Sequence, residues 1–217
     1  GGLRKTDIHY CKNVIYYYDI KNNRWNRCRY LSGNLYQIPW KVFNQAMVIY
    51  DDTLIVHGGI DKNGTRVDGA HMCNIDKAIN KGWAIWTKFE MYIKDLAVHS
   101  MLRCDDMVLV FGGKNNNDQR NNILTRIYNF GSNGLCIFME TYIKNMENKY
   151  DINIPKGISQ AIQKFVGLMY YTQIISDIKP RSGHVSCIAN INGIKYMCIL
   201  GGFDGQSILK SCYVIKI

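Results

Sequence analysis

Apolar residues in this chain come in short blocks, and block after block stops at a pair of glycines. Leu54-Ile55-Val56-His57 runs into Gly58-Gly59, Val108-Leu109-Val110-Phe111 into Gly112-Gly113, and Met197-Cys198-Ile199-Leu200 into Gly201-Gly202. A further pair, Gly1-Gly2, opens the chain. Short β-branched blocks closed by glycine predict strands rather than helices. Ahead of the blocks stand Asp51-Asp52, Asp105-Asp106 and, at nearly the same place, Asn192-Gly193. Asp, Asn and Gly tolerate the positive φ of tight turns, so each predicts a hairpin.

A second hairpin follows each glycine pair. Val14 to Ile20, the turn Lys21-Asn22-Asn23 and Trp25 form the first; His71 to Ile75, a longer turn and Trp83-Ala84-Ile85-Trp86 form the second. Ile127 to Phe130, the turn Gly131 to Gly134 and Cys136-Ile137-Phe138 form the third, and Ser211 to Ile215 begins the last. Four short strands per unit, repeated, is the sequence form of a β-propeller blade. The glycine pairs are spaced by 57, 54 and then 89 residues, so one unit carries an insertion. Within that insertion Ile158, Ile162, Phe165 and Met169 predict an amphipathic helix, packed on its own sheets or docking a partner helix.

These residues resemble the kelch repeat. The glycine pair after a strand, Tyr18-Asp19-Ile20 and then Trp25 look like the kelch motif. Arg181-Ser182-Gly183-His184 resembles the segment that opens a kelch blade, and Val98-His99-Ser100 looks like a looser version. The second unit departs from the pattern, with Asn44-Gln45 where the histidine would sit and Asn74 at the Tyr-Asp position; Phe138 stands near the Trp position of the third. The resemblance implies an all-β, kelch-type propeller with about three and a half four-stranded blades of a six- or seven-bladed ring. Residues 1–140 would hold two strands of one blade and then two full blades, 141–180 the partly helical insertion, and 181–217 the start of a further blade. The expectation is therefore a piece of a longer protein, or an arc completed by missing blades or a second chain.

Charge and cysteine narrow the function. Twenty-seven Lys and Arg against 17 Asp and Glu give a net charge of +10. No block of five like charges and no nucleic-acid motif accompany that excess, so nucleic acid is not the expected partner. No apolar stretch is long enough to span a membrane. The eight cysteines lack C-x-x-C or zinc spacing, and most sit inside apolar runs, which predicts buried free thiols in a reducing, cytoplasmic setting. The five histidines lack metal spacing, and no nucleophile-elbow, P-loop or dinucleotide signature occurs, so the expectation is no catalysis, no metal and no cofactor. Hydrogen bonding within the fold accounts for His99 and His184. The aromatics Tyr16, Tyr17, Tyr18, Trp25, Trp86, Tyr128 and Phe138 are expected in the cores between blades.

The loops after the glycine pairs are the candidate contact surface. They carry Arg4, Lys5, Lys62, Arg66, Lys114, Arg120 and Asp204. Arg66 and Arg120 each lie eight residues after the first glycine of their pair, which places them at matching points of neighbouring blades. Repeated guanidinium groups suit an acidic peptide or phosphopeptide, because their donor fork matches carboxylate and phosphate. The resemblance therefore implies a non-catalytic module binding a protein or acidic peptide partner. It also allows the regulatory kelch domain of a larger enzyme, such as a kelch-containing serine/threonine phosphoprotein phosphatase, although that enzyme's metal motifs do not occur in these 217 residues.

Overall fold

Antiparallel hairpins dominate because the predicted turns form where Asx and glycine supply positive φ. The computed structural model describes residues 14–30, 42–89, 91, 93–128 and 170–217. Arg4, Lys5, the 136–138 segment, the helix expected around 158–169, Cys11 and Cys136 lie outside the described residues.

Four sheets follow in chain order. The first holds β1 (Ile15–Asp19) and β2 (Arg24–Tyr30), paired antiparallel around a turn in which Asn23 has φ +49°. The second runs β3 (Ala46–Tyr50), β4 (Thr53–His57), β5 (Ala70–Asn74) and, after an excursion, β7 (Thr87–Phe89). The third runs β8 (Ser100–Cys104), β9 (Met107–Phe111), β10 (Ile123–Tyr128) and β11 (Tyr170–Ile175). The fourth has β12 (Val185–Ile191), β13 (Ile194–Leu200) and β14 (Cys212–Lys216). Asp51, Asp105 and Asn192 take φ of +51°, +54° and +53° in the two-residue turns that close Tyr50 on Thr53, Cys104 on Met107 and Ile191 on Ile194.

The excursion between β5 and β7 departs from the expected strand at 83–86. Asn74 ends β5 rather than leading into a tight turn. It caps a short helix, α1 (Ile75–Lys81), by accepting from the Lys77 amide, and Gly82 at φ +72° ends it. The chain then lays β6 (Trp83–Ala84) parallel to β2 in the first sheet before returning to the second as β7. The third sheet departs in a different way. Its fourth strand is β11, from the stretch expected to be wholly insertion, and β11 pairs with β10 from Tyr128↔Tyr170 to Ile123↔Ile175. The insertion therefore joins the last two strands of that sheet.

Each sheet packs on the next through an apolar core. Ile15, Tyr17 and Cys28 meet Leu54, Cys73 and Trp86 between the first and second sheets. Ala46, Val48 and Ile55 meet Met101, Val108 and Val110 between the second and third. Leu109, Phe111 and Leu124 meet Met197 and Ile199 between the third and fourth. Burying such side chains contributes about 1.5–3 kcal/mol apiece. Three of the expected core aromatics are elsewhere: Tyr16, Tyr18 and Trp25 point away from the second sheet, with Trp25 71% exposed. The strand alternation at β1 puts only Tyr17 and Ile15 inward. The cysteines divide likewise: Cys28, Cys73 and Cys104 are buried and free, whereas Cys187 and Cys212 are free on an exposed face.

Candidate functional site

The glycine pairs, the loops after them and the loops leading into β3, β8 and β12 form one repeated device. Each lead-in loop pairs with the residue after its own glycine pair, in the bridges Phe43↔Ile60, Ala97↔Lys114 and Ser182↔Phe203. The loops into β8 and β12 also reach across to the preceding sheet. The Gly59 amide donates to the Leu96 carbonyl (3.0 Å) and the Gly113 amide to the Arg181 carbonyl (2.8 Å). Beside them the Val98 amide donates to the Asn44 carbonyl (2.9 Å) and the Gly183 amide to the Val98 carbonyl (3.0 Å). Asn44, Val98 and Gly183 share φ near +60° at matching positions, and only at Val98 does a β-branched residue bear that conformation.

Glycine is required here by close approach as well as by φ. A Cβ on Gly112 would lie 2.7 Å from His184 Cε1 and 2.8 Å from the Arg181 carbonyl oxygen. A Cβ on Gly58 would collide with the Leu96 carbonyl. The first glycine of a pair thus admits the next sheet's backbone and its histidine.

The histidines are built into these joints. His57 Nε2 donates to the Ile93 carbonyl (2.9 Å), since that oxygen only accepts. His57 Nδ1 must therefore accept, and the His99 Nε2–H donates to it across 2.9 Å. Both rings are neutral in that arrangement. His99 Nδ1 is left buried without a hydrogen-bond partner among the described residues. Burial holds both histidines below the ordinary histidine range, His99 well below it. His184 meets Ser100 Oγ at 2.9 Å, and burial, with Arg181 nearby, brings its pKa down to about 4. Among the described residues no group of three or more His, Cys, Asp or Glu is placed to hold a metal ion.

The loops follow one plan, the last being one residue shorter. Asp61 Oδ1 accepts from the Asn63 and Thr65 amides, Asn115 Oδ1 from the Asn117 and Gln119 amides, and Asp204 Oδ1 from the Gln206 and Ser207 amides. Each of these residues stands three places after the first glycine of its pair. Each loop then returns through a matching bridge: Ile60↔Arg66, Lys114↔Arg120 and Phe203↔Ile208. An Asx side chain bonded to amides ahead of it replaces backbone pairing and stiffens the turn.

Arg66 and Arg120 do fall at matching points, but their guanidinium groups are occupied. Arg66 pairs with Asp118 of the next loop, its amide donates to Asn116 Oδ1 (3.0 Å), and its side chain is only 10% exposed. Lys114 joins the same carboxylate at 3.0 Å, and the two cations hold Asp118 below the usual carboxylate range. The Arg120 guanidinium lies 4.8 Å over the Phe203 ring, and its Nη1 donates to the Asp118 carbonyl (3.0 Å). Asp204 is not offered to a partner either. Its carboxylate, 4% exposed, pairs with Lys179 and serves its own loop's amides, which holds its pKa down. Lys62 alone of the described candidates projects at an exposed loop tip.

The result is three rigid loops tied edge to edge, with Lys62, Asn63, Asn117 and Gln206 along their outer side. Of the three Asx residues, the sequence marked Asp204 as a contact residue, while Asp61, Asn115 and Asp118 were not singled out. The signal for the Asx residues was available, an Asp or Asn at a fixed distance from each glycine pair. Asp118 has Lys114 four residues before it, but nothing local marks its other partner, Arg66, 52 residues away. No helix among the described residues is long and apolar enough to cross a membrane. No protein-family model matches the chain, and no curated protein matches it.

Proposed function

We propose that this chain is an arc of a kelch-type β-propeller and acts as a non-catalytic protein-interaction module through the loops after its glycine pairs. One observation carries the reading: three successive sheets present loops held by an Asx residue at the same place after the glycine pair, joined into one polar face. A preformed face lowers the ordering cost of binding. The scaffold under it supports the reading too, since histidines and glycines that would suggest chemistry in isolation are consumed by the joints between sheets.

The face selects a polar protein segment rather than a strongly acidic one. Arg66 and Lys114 are neutralised by Asp118, and Arg120 is stacked on Phe203. What remains is a row of amides and one free lysine tip, suited to hydrogen bonding with an extended, weakly acidic peptide. The test is a peptide array of neutral, acidic and phosphorylated sequences probed with the purified chain. Binding should fall by about tenfold or more in Lys62→Glu with Asn117→Ala, since central contacts of an interface dominate its energy. It should persist in Asp51→Asn, at the distant hairpin turn. Equal loss in both variants, or no binding to any sequence class, would contradict the reading.

A further inference from the structure

Free thiols gather on one face of the fourth sheet. Cys28, Cys73 and Cys104 are buried in the cores between sheets. Cys187, Cys198 and Cys212 point the other way, because their strand neighbours Ile188, Met197, Ile199 and Tyr213 pack on the third sheet. All three are free, and none is fully buried.

The strand register makes a pair of two of them. Cys187 stands directly opposite Cys198 in the ladder of β12 and β13. Residues so placed have Cα atoms about 4.5–5.5 Å apart, within the range that a disulfide spans. Cys212 stands opposite Leu200 and so lies diagonally to Cys198, at a Cα separation of about 7–8 Å, where a bridge needs backbone movement. The pair belongs to one hairpin, closed by Asn192 and Gly193, so β12 and β13 alone hold it, whatever adjoins the sheet. Exposure separates the two thiols: Cys187 is exposed and Cys198 only partly so. Partial burial, then the Cys187 thiol with which it shares a hydrogen bond, holds the Cys198 thiol above its usual pKa.

We propose that Cys187 and Cys198 form an oxidation site, at which a hydroperoxide converts the two thiols into a cross-strand disulfide. The Cys187 sulfur attacks the terminal peroxide oxygen, the O–O bond breaks, and a sulfenic acid forms on Cys187. The other peroxide oxygen takes the thiol proton and leaves as water or an alcohol. The Cys198 sulfur then attacks the Cys187 sulfur, the S–O bond breaks, and the hydroxyl leaves as water with the Cys198 proton. Two thiols have lost two electrons and two protons, and the peroxide has been reduced. Holding both sulfurs in register makes the second step intramolecular, so it outruns further oxidation of Cys187. A dithiol reductant reverses the bridge by exchange. This site is independent of the loop-face reading.

Peptide mapping of the unaltered chain tests it, after treatment with hydrogen peroxide, alkylation without reduction and digestion with trypsin. Cleavage after Lys195 and Lys210 puts Cys187, Cys198 and Cys212 on three different peptides. The expected result is a linked pair carrying Cys187 and Cys198, released by dithiothreitol, while Cys28, Cys73 and Cys104 stay reduced. Cys212→Ser should leave that linkage unchanged. Cys198→Ser should abolish it and leave a sulfenic acid on Cys187 that a 1,3-dione traps, with circular dichroism reporting that the strands are kept. Linkage of Cys198 to Cys212, or a bridge between two chains, overturns the proposal. So does a Cys187 and Cys198 pair in the unaltered chain that stays reduced, or that reaches sulfinic acid without linking.

Discussion

The joint between the second and third sheets and the joint between the third and fourth share a backbone and differ in chemistry. Gly59 to Leu96 matches Gly113 to Arg181, and Val98 to Asn44 matches Gly183 to Val98. Around that common frame, the first joint has an apolar Leu96 and a pair of buried histidines, while the second has a fully buried Arg181 and one histidine bonded to Ser100. The comparison teaches that glycine placement and amide register make the joint, and that side chains fill it by different means. A repeat can therefore drift in sequence, as at Gln45 and Leu96, while keeping its geometry.

The largest effect should come from blocking the shared frame. Gly112→Ala forces a Cβ against both a backbone carbonyl and His184 at a φ of +65°, and should cost more than about 3 kcal/mol in denaturant unfolding. Gly201→Ala has a similar φ but open space, and should cost only about 1–2 kcal/mol. Similar losses at the two positions would mean that crowding by the next sheet is not what selects glycine.

Arg181 gives the next largest contrast. Its Nη1 donates to the Gly201 carbonyl (2.8 Å) and its Nε to the Lys179 carbonyl (3.1 Å), with the guanidinium over the Tyr213 ring. Arg181→Met should cost about 2–3 kcal/mol, because buried acceptors lose charged donors. Leu96→Met, at the matching place, should cost less than about 1.5 kcal/mol, as volume-conserving swaps do.

Acid should then separate the joints. Burial lowers the folded-state pKa of His57, His99 and His184 below the ordinary 6.5, so the unfolded chain binds more protons in that range. Stability is fully present above pH 6.5 and is lost as pH falls below it, for His184 by about 1.4 kcal/mol per pH unit down to about 4. His184→Gln, using the residue found at position 45, should keep stability at pH 7 and flatten the slope by one histidine. An unchanged slope would place the acid sensitivity outside this joint. The smallest effect is at Val98. Val98→Asn, the residue at the matching Asn44, should stabilise by about 0.5–1 kcal/mol, by relieving the positive φ.

The hairpins at Asp51, Asp105 and Asn192 were legible because a turn residue between apolar blocks is a local signal. So were the glycine pairs, whose spacing reports the repeat. The course of residues 75–89 was not, because Asn74 serves a strand motif or a helix cap with equal ease, and only tertiary packing of Ala78 and Cys28 decides. β11 was hidden for another reason: its partner β10 lies beyond an insertion, and pairing at that distance leaves no mark in a local window. In the candidate site, the positions of Arg66 and Arg120 followed from the repeat. Their neutralisation did not, since it depends on Asp118 and Phe203 in neighbouring loops.

Amide hydrogen exchange at the second glycine of each described pair tests the joint most directly. The Gly59 and Gly113 amides, each bonded to the next sheet's carbonyl, should exchange slowly, with protection approaching that of the core strands. The Gly202 amide, at the same place in the fourth sheet and without a partner among the described residues, should exchange rapidly. Slow exchange at Gly59 and Gly113 beside fast exchange at Gly202 is the predicted result. Exchange at Gly113 as fast as at Gly202 would contradict the account that these glycines exist to seat the next sheet.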